Sequence, residues 1–190
     1  MSTYSCARAT TEELADYWAG DLADDRAAAF EEHLFSCPEC ARALATIEAL
    51  ARGVGHAMRD SQLGVVITDA VFNRLARDGV RVRSFVLVPG DVVPCAVWDG
   101  DEVMALRLRG DFSGATTVSV VRRLSSGEEL ARSADVPLTG TRNEIILATP
   151  AAWLRRLPSV QMDVTVISES DGANRTMSTY TLLHAGALNR

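Results

Sequence analysis

The sequence predicts an α+β protein: a helical bundle over residues 1–60, followed by an antiparallel β-sandwich or barrel-like domain over residues 64–190. Three observations carry that prediction. Apolar residues recur at helical spacing in the first third, between cap and turn residues. From about residue 64 the pattern changes to short β-rich runs divided by turn signals. The net charge is also unevenly shared: residues 1–60 hold 11 Asp or Glu against 5 Arg, net −6, while residues 61–190 hold 14 of each.

The composition is that of a folded chain. An apolar share of 47% with 23% charged residues allows a substantial core and argues against extensive disorder. The first six residues lack a basic stretch leading into an apolar one, and no apolar run approaches the roughly 20 residues needed to cross a bilayer. The expected location is the cytoplasm, away from the membrane. Thiols stay reduced there, so four cysteines point to metal binding or redox chemistry before disulfides. The acidic first third reads either as a solvated helical face or as a surface that repels nucleic acid phosphates and favours a basic protein partner, and direct nucleic acid binding is not expected.

Within the first third, Thr10 and Glu13 form the two ends of a capping box, after which Leu14, Tyr17 and Trp18 share a helical face and Gly20 ends the helix. A second helix begins at Asp24-Asp25, whose carboxylates suit the positive end of the helix dipole, and carries Ala27, Phe30 and Leu34 along one stripe. It should stop at Ser36 or Cys37, because Pro38 disfavours a helical conformation in the residue before it. Pro38 then opens a third helix through Leu44 and Ile47, expected to be interrupted at Gly53 and Gly55. Residues 56–63 read equally as a short fourth helix or a linker.

Beyond residue 64 the candidate strands cover 80–88, 92–98, 103–108, 116–124, 144–148, 160–168 and 176–183, with one helix at 69–76 and a helical turn at 150–157. Turns are expected at Pro89-Gly90-Asp91, Asp99-Gly100-Asp101 and Asp171-Gly172-Ala173.

One constellation carries chemistry. His33, Cys37 and Cys40 stand in an H-x3-C-x2-C arrangement. Residues four apart share a helix face, so the His33 imidazole can lie beside the Cys37 thiolate at the helix end, and Cys40 can grip the same ion across a tight turn. Nitrogen and sulfur donors at that spacing suit Zn2+, whose structural sites close with four protein ligands in a tetrahedron. Cys6, just ahead of the first helix, is the candidate for the fourth. Three thiolates and a neutral imidazole would leave a zinc site with a net charge of about −1. The competing reading makes His33 a surface histidine and the thiols small buried hydrophobes.

These residues resemble the zinc-associated anti-sigma domain. The matching positions are Cys6, Gly20-Asp21-Leu22 between the first two helices, His33-Leu34, and Cys37-Pro38-Glu39-Cys40. The chain departs from the pattern at Ala23, where the family usually has a Ser or Thr cap, leaving Asp21 or Asp24 to supply any capping oxygen. The resemblance implies a small helical bundle held by zinc that binds an alternative sigma factor of the extracytoplasmic-function type and blocks its access to RNA polymerase. It also implies two options for the thiolates, since some members use them as a redox switch, a disulfide expelling the metal, and others do not.

Elsewhere the sequence is less informative. Cys95, in an apolar strand, reads as an inert buried thiol. His56 and His184 have no comparable second ligand nearby, Trp98 and Trp153 read as core anchors, and Asp99-Gly100-Asp101-Glu102 reads as a hairpin turn because it lacks the ligand spacing of a calcium loop. No catalytic signature occurs, so no enzyme is expected. The β-domain is left with receiving a signal, buttressing the helices or mediating assembly, homo-oligomers included. An alternative function is a zinc-binding interaction module whose β-domain binds a ligand or partner, with no sigma factor involved. A zinc hydrolase would need an open coordination position.

Overall fold

The structure, a computed structural model, describes residues 6, 8–59, 64–138, 143–170 and 173–186, with no side-chain description at 53–59, 137, 169, 170 and 173. The chain divides into two compact units, Met1–Ala57 and Met58–Arg190.

The first unit holds α1 (Thr11–Ala19), α2 (Asp24–Ser36) and the start of α3 (Pro38–Arg59). The capping box forms as the sequence predicts: the Thr10 hydroxyl accepts from the Glu13 amide at 3.1 Å, and the Glu13 carboxylate accepts from the Thr10 amide at 2.9 Å. Gly20 ends α1 in the left-handed region, φ 84°, where its amide reaches the Asp16 carbonyl. The N-cap of α2 is Ala23, which makes no side-chain cap bond. The extended backbone of Cys37, ψ 98°, separates α2 from α3, as expected of a residue before proline.

The expected break at Gly53 and Gly55 does not occur, for α3 runs on to Arg59. Glycine costs only about 1 kcal/mol relative to alanine in a helix, so two of them in a 22-residue helix weaken it without ending it. Residues 56–59 therefore belong to α3, while 60–63 lie outside the described residues. The apolar faces converge on a small core: Ala9, Leu14, Phe30 and Cys40 are buried, with Tyr17, Leu22, Leu34, Leu44 and Ile47 packed around them.

The second unit carries β1 (Val65–Ile67), α4 (Asp69–Arg77), β2 (Val82–Leu87), β3 (Val92–Cys95), β4 (Val103–Arg109), β5 (Thr117–Leu124), β6 (Glu129–Pro137), β7 (Glu144–Pro150), α5 (Ala151–Leu154), β8 (Val160–Ser170) and β9 (Ala173–His184). They form a four-stranded sheet, β1-β7-β4-β2, and a five-stranded sheet, β3-β9-β8-β5-β6. One apolar cluster lies on both, with Leu87, Leu106, Leu108 and Leu147 from the first sheet and Val120, Val164, Tyr180 and Leu182 from the second.

The α+β class matches the sequence, but the strand pairing is not purely antiparallel and no barrel closes. β2 runs parallel to β4, and β3 parallel to β9. Between β2 and β4 the chain passes through the other sheet, by way of the turn at Pro89-Gly90-Asp91. It is tight, with the Asp91 amide donating to the Val88 carbonyl at 3.0 Å and Gly90 at φ 84°, yet it carries the chain from one sheet into the other. The second expected turn is held by guanidinium groups. Arg83 binds the Asp101 carboxylate, and Arg155 donates to the carbonyls of Trp98 and Asp101 at 2.9 and 3.0 Å. Arginines occupy the acidic loop, in keeping with a turn and against a calcium site. Asp171 and Gly172 of the third turn fall outside the described residues.

Trp153 packs against the core as expected, whereas Trp98 is half-buried with the Arg83 guanidinium 5.8 Å from its ring centroid. Another guanidinium, Arg122, lies inside the unit at 5% exposure. It donates to the Thr149 hydroxyl at 3.3 Å and lies 5.6 Å from the Trp153 ring centroid.

Candidate metal centre

Three local features bring four donors together. The capping box fixes the entry of α1, so the chain ahead of it, pinned by a bridge between Cys6 and Ala9, turns back toward α2. The last turn of α2 presents His33. The Cys37-Pro38 break then reverses the chain so that Cys37 and Cys40, at the start of α3, face the same point.

The result is a cluster of Cys6, His33, Cys37 and Cys40 whose ligand atoms all lie within 4.8 Å of one another. His33 Nε2 is 3.4 Å from Cys6 Sγ and 3.0 Å from Cys40 Sγ. Donors around a tetrahedral zinc, with bonds of about 2.0–2.3 Å, stand roughly 3.5–3.8 Å apart, so small outward movements admit the ion. Cys40 is buried and the other three are half-buried. The Cys37 thiol is held below its usual pKa, first by the Cys40 amide, then by the Cys40 thiol, with the Glu39 amide adding to them against a desolvation cost. Amides at the start of α3 thus stabilise a thiolate, the form that ligates metal.

His33 itself is oriented by packing. Phe30, one turn earlier, stands edge-on to the imidazole at 6.4 Å between centroids and against Tyr17 at 5.2 Å, while the Tyr17 hydroxyl donates to Glu31 at 3.1 Å. His33 Nδ1 is buried without a hydrogen-bond partner, so Nε2 is the nitrogen turned toward the thiols.

The cluster joins the three residues of the H-x3-C-x2-C pattern to Cys6, the candidate read from chain order. Four nitrogen and sulfur donors from one turn, one helix end and one helix start fit a closed zinc site, with no position left for a reacting water. Among the described residues its buried cluster is small, so the unit gains from a metal that cross-links its three helices.

The other candidates behave differently. Cys95 is 2% exposed and burial pushes its pKa up to about 11, the signature of an unreactive thiol. Its sulfur nevertheless lies 3.9 Å from His184 Nδ1, a contact between residues 89 apart that no sequence signal announces. His184 Nε2 lies 3.0 Å from the Leu154 carbonyl, and burial lowers the imidazole pKa. The His56 side chain lies outside the described residues.

A helical unit closed by one histidine and three cysteines defines the class of zinc-finger modules. The family comparison falls on those residues: a family model described as "Putative zinc-finger" matches residues 6–41, a stretch that holds all four donors. The match ends within α3 and leaves the β-rich unit unassigned. It includes every position that carries the resemblance to the zinc-associated anti-sigma domain, Cys6 to Cys40, although that resemblance is expected to run to about residue 52. No curated protein matches the chain. Among solved structures, the N-terminal domain of phage TP901-1 ORF48 is similar over 57% of this chain and 99% of that one, at 11% identity and a TM-score of 0.38, a likeness that carries no argument for fold or function.

Proposed function

We propose that the protein is an anti-sigma factor. Its zinc-binding helical unit sequesters a sigma factor of the extracytoplasmic-function type and so regulates transcription. The observation that supports this most is the convergence of Cys6, His33, Cys37 and Cys40 inside a zinc-finger match. The acidic charge of residues 1–60 suits a basic partner protein and disfavours direct contact with nucleic acid. The protein works by binding and not by catalysis, since four protein ligands close the metal site, and it works in the cytoplasm, where sigma factors are. Among the described residues no helix is long and apolar enough to cross a membrane.

The test is co-expression of the full chain with each alternative sigma factor of the source genome. A stable complex with one of them is expected, and failure with all of them would sink the proposal. A second reading has its own observation. Val86, Val88, Val92 and Leu183 in the β-rich unit are 42–58% exposed, which suits a unit that binds a ligand, a partner or a second copy of the chain. Under that reading Val92→Asp abolishes partner capture, whereas under the first it leaves the sigma complex intact.

A further inference from the structure

Phe35 is 93% exposed, the largest exposure of any large hydrophobic among the described residues. An aromatic ring held almost wholly in water adds nothing to the core of its own unit. Its surroundings are acidic. Glu31 and Glu32 precede it by four and three residues on α2, on the same helix face, and Glu39 lies in the first turn of α3. All three are exposed, and neither Glu32 nor Glu39 makes an ion pair among the described residues. Phe35 also stands midway between His33 and Cys37. A metal held by both residues clamps the last turn of α2 and so fixes the backbone that presents the ring.

An exposed aromatic with a charged rim is the pattern of an interface anchor: the ring fills an apolar pocket on the partner while the rim sets orientation and association rate. We propose that Phe35 is the anchor of the partner-binding surface. It seats in an apolar pocket of the sigma factor whose edge carries Arg or Lys opposite Glu32 and Glu39. This rests on the anti-sigma reading and adds to it which residue carries the affinity and how the zinc clasp serves binding, by holding Phe35 in place.

The experiment measures the affinity of the full zinc-loaded chain, Phe35→Ala and Glu32→Arg for the sigma factor that co-purifies with the unmodified chain, at low and high salt. Zinc content and melting temperature are read in parallel, and because Phe35 is not part of the core neither should move in Phe35→Ala. Truncating an anchor weakens binding by at least about thirtyfold. Glu32→Arg should weaken it several-fold at low salt and less at high salt. If the unmodified chain binds and Phe35→Ala binds within twofold of it, the anchor assignment is overturned while the anti-sigma reading stands. If no sigma factor binds the unmodified chain, the anti-sigma reading fails and the anchor with it.

Discussion

His33 Nε2 stands 3.0 Å from Cys40 Sγ although the two residues belong to different helices, while the other ring nitrogen of His33 is buried without a partner. The imidazole is therefore turned toward the thiols, and its proton is left on Nδ1 when Nε2 ligates. Histidine ligands usually donate that second N–H to an acceptor, so this ring depends on packing against Phe30 for its orientation.

The metal should accordingly dominate the stability of the first unit. His33→Ala and Cys40→Ser are each expected to lose stoichiometric zinc and much of the helicity of residues 8–57, since structural zinc contributes about 10 kcal/mol or more in small domains. Elemental analysis with far-ultraviolet circular dichroism checks this, and unchanged zinc in both variants would refute the site.

The capping box at Thr10 and Glu13 opens the helix that follows Cys6. Thr10→Ala removes the hydroxyl acceptor of the Glu13 amide and should cost about 1 kcal/mol. Chemical unfolding of the zinc-loaded chain measures it, and an unchanged midpoint would show the cap to be idle.

In the second unit, His184 is buried and its pKa lies below the ordinary 6.5, chiefly through desolvation, with the Leu154 carbonyl acting in the opposite direction. The unfolded chain protonates His184 near pH 6.5 and the folded chain resists it. The stability this residue contributes is complete above about pH 6.5 and is lost as pH falls toward the folded-state pKa, by at most about 1.4 kcal/mol per pH unit. Tryptophan-detected unfolding between pH 7 and 5 should show that slope, and His184→Gln should flatten it.

Gly64 admits no side chain. A Cβ there would stand 2.8 Å from Arg122 Nη2 and 2.9 Å from Thr149 Oγ1, so Gly64→Ala must displace a buried guanidinium and should cost roughly 1–3 kcal/mol. A melting temperature equal to that of the unmodified chain would contradict this packing.

These features were unequally legible in the sequence. Helix ends were clear where local chemistry sets them, as at Thr10, Gly20 and Pro38, because caps and breakers act within a few residues. The extent of α3 was not, since glycine is a weak breaker. β6 carries little strand signal in the sequence because Glu129–Pro137 intersperses charged residues with alanines and has one β-branched residue, and it holds its place at a sheet edge through pairing with β5. The parallel pairs were hidden because a tight turn has the same signature whether it returns a strand to its own sheet or sends it to another. At the candidate site, spacing pointed to His33, Cys37 and Cys40, while the place of Cys6 depended on how the chain folds back, and the contact of Cys95 with His184 on a strand pairing formed across half the chain.

Under the proposed function, a zinc-closed helical unit captures a sigma factor. Native mass spectrometry of the chain co-expressed with the sigma factors of its own genome tests it most directly. A complex of one chain, one sigma factor and one zinc ion is expected. A chain that flies alone, or a sigma complex carrying no zinc, would contradict it.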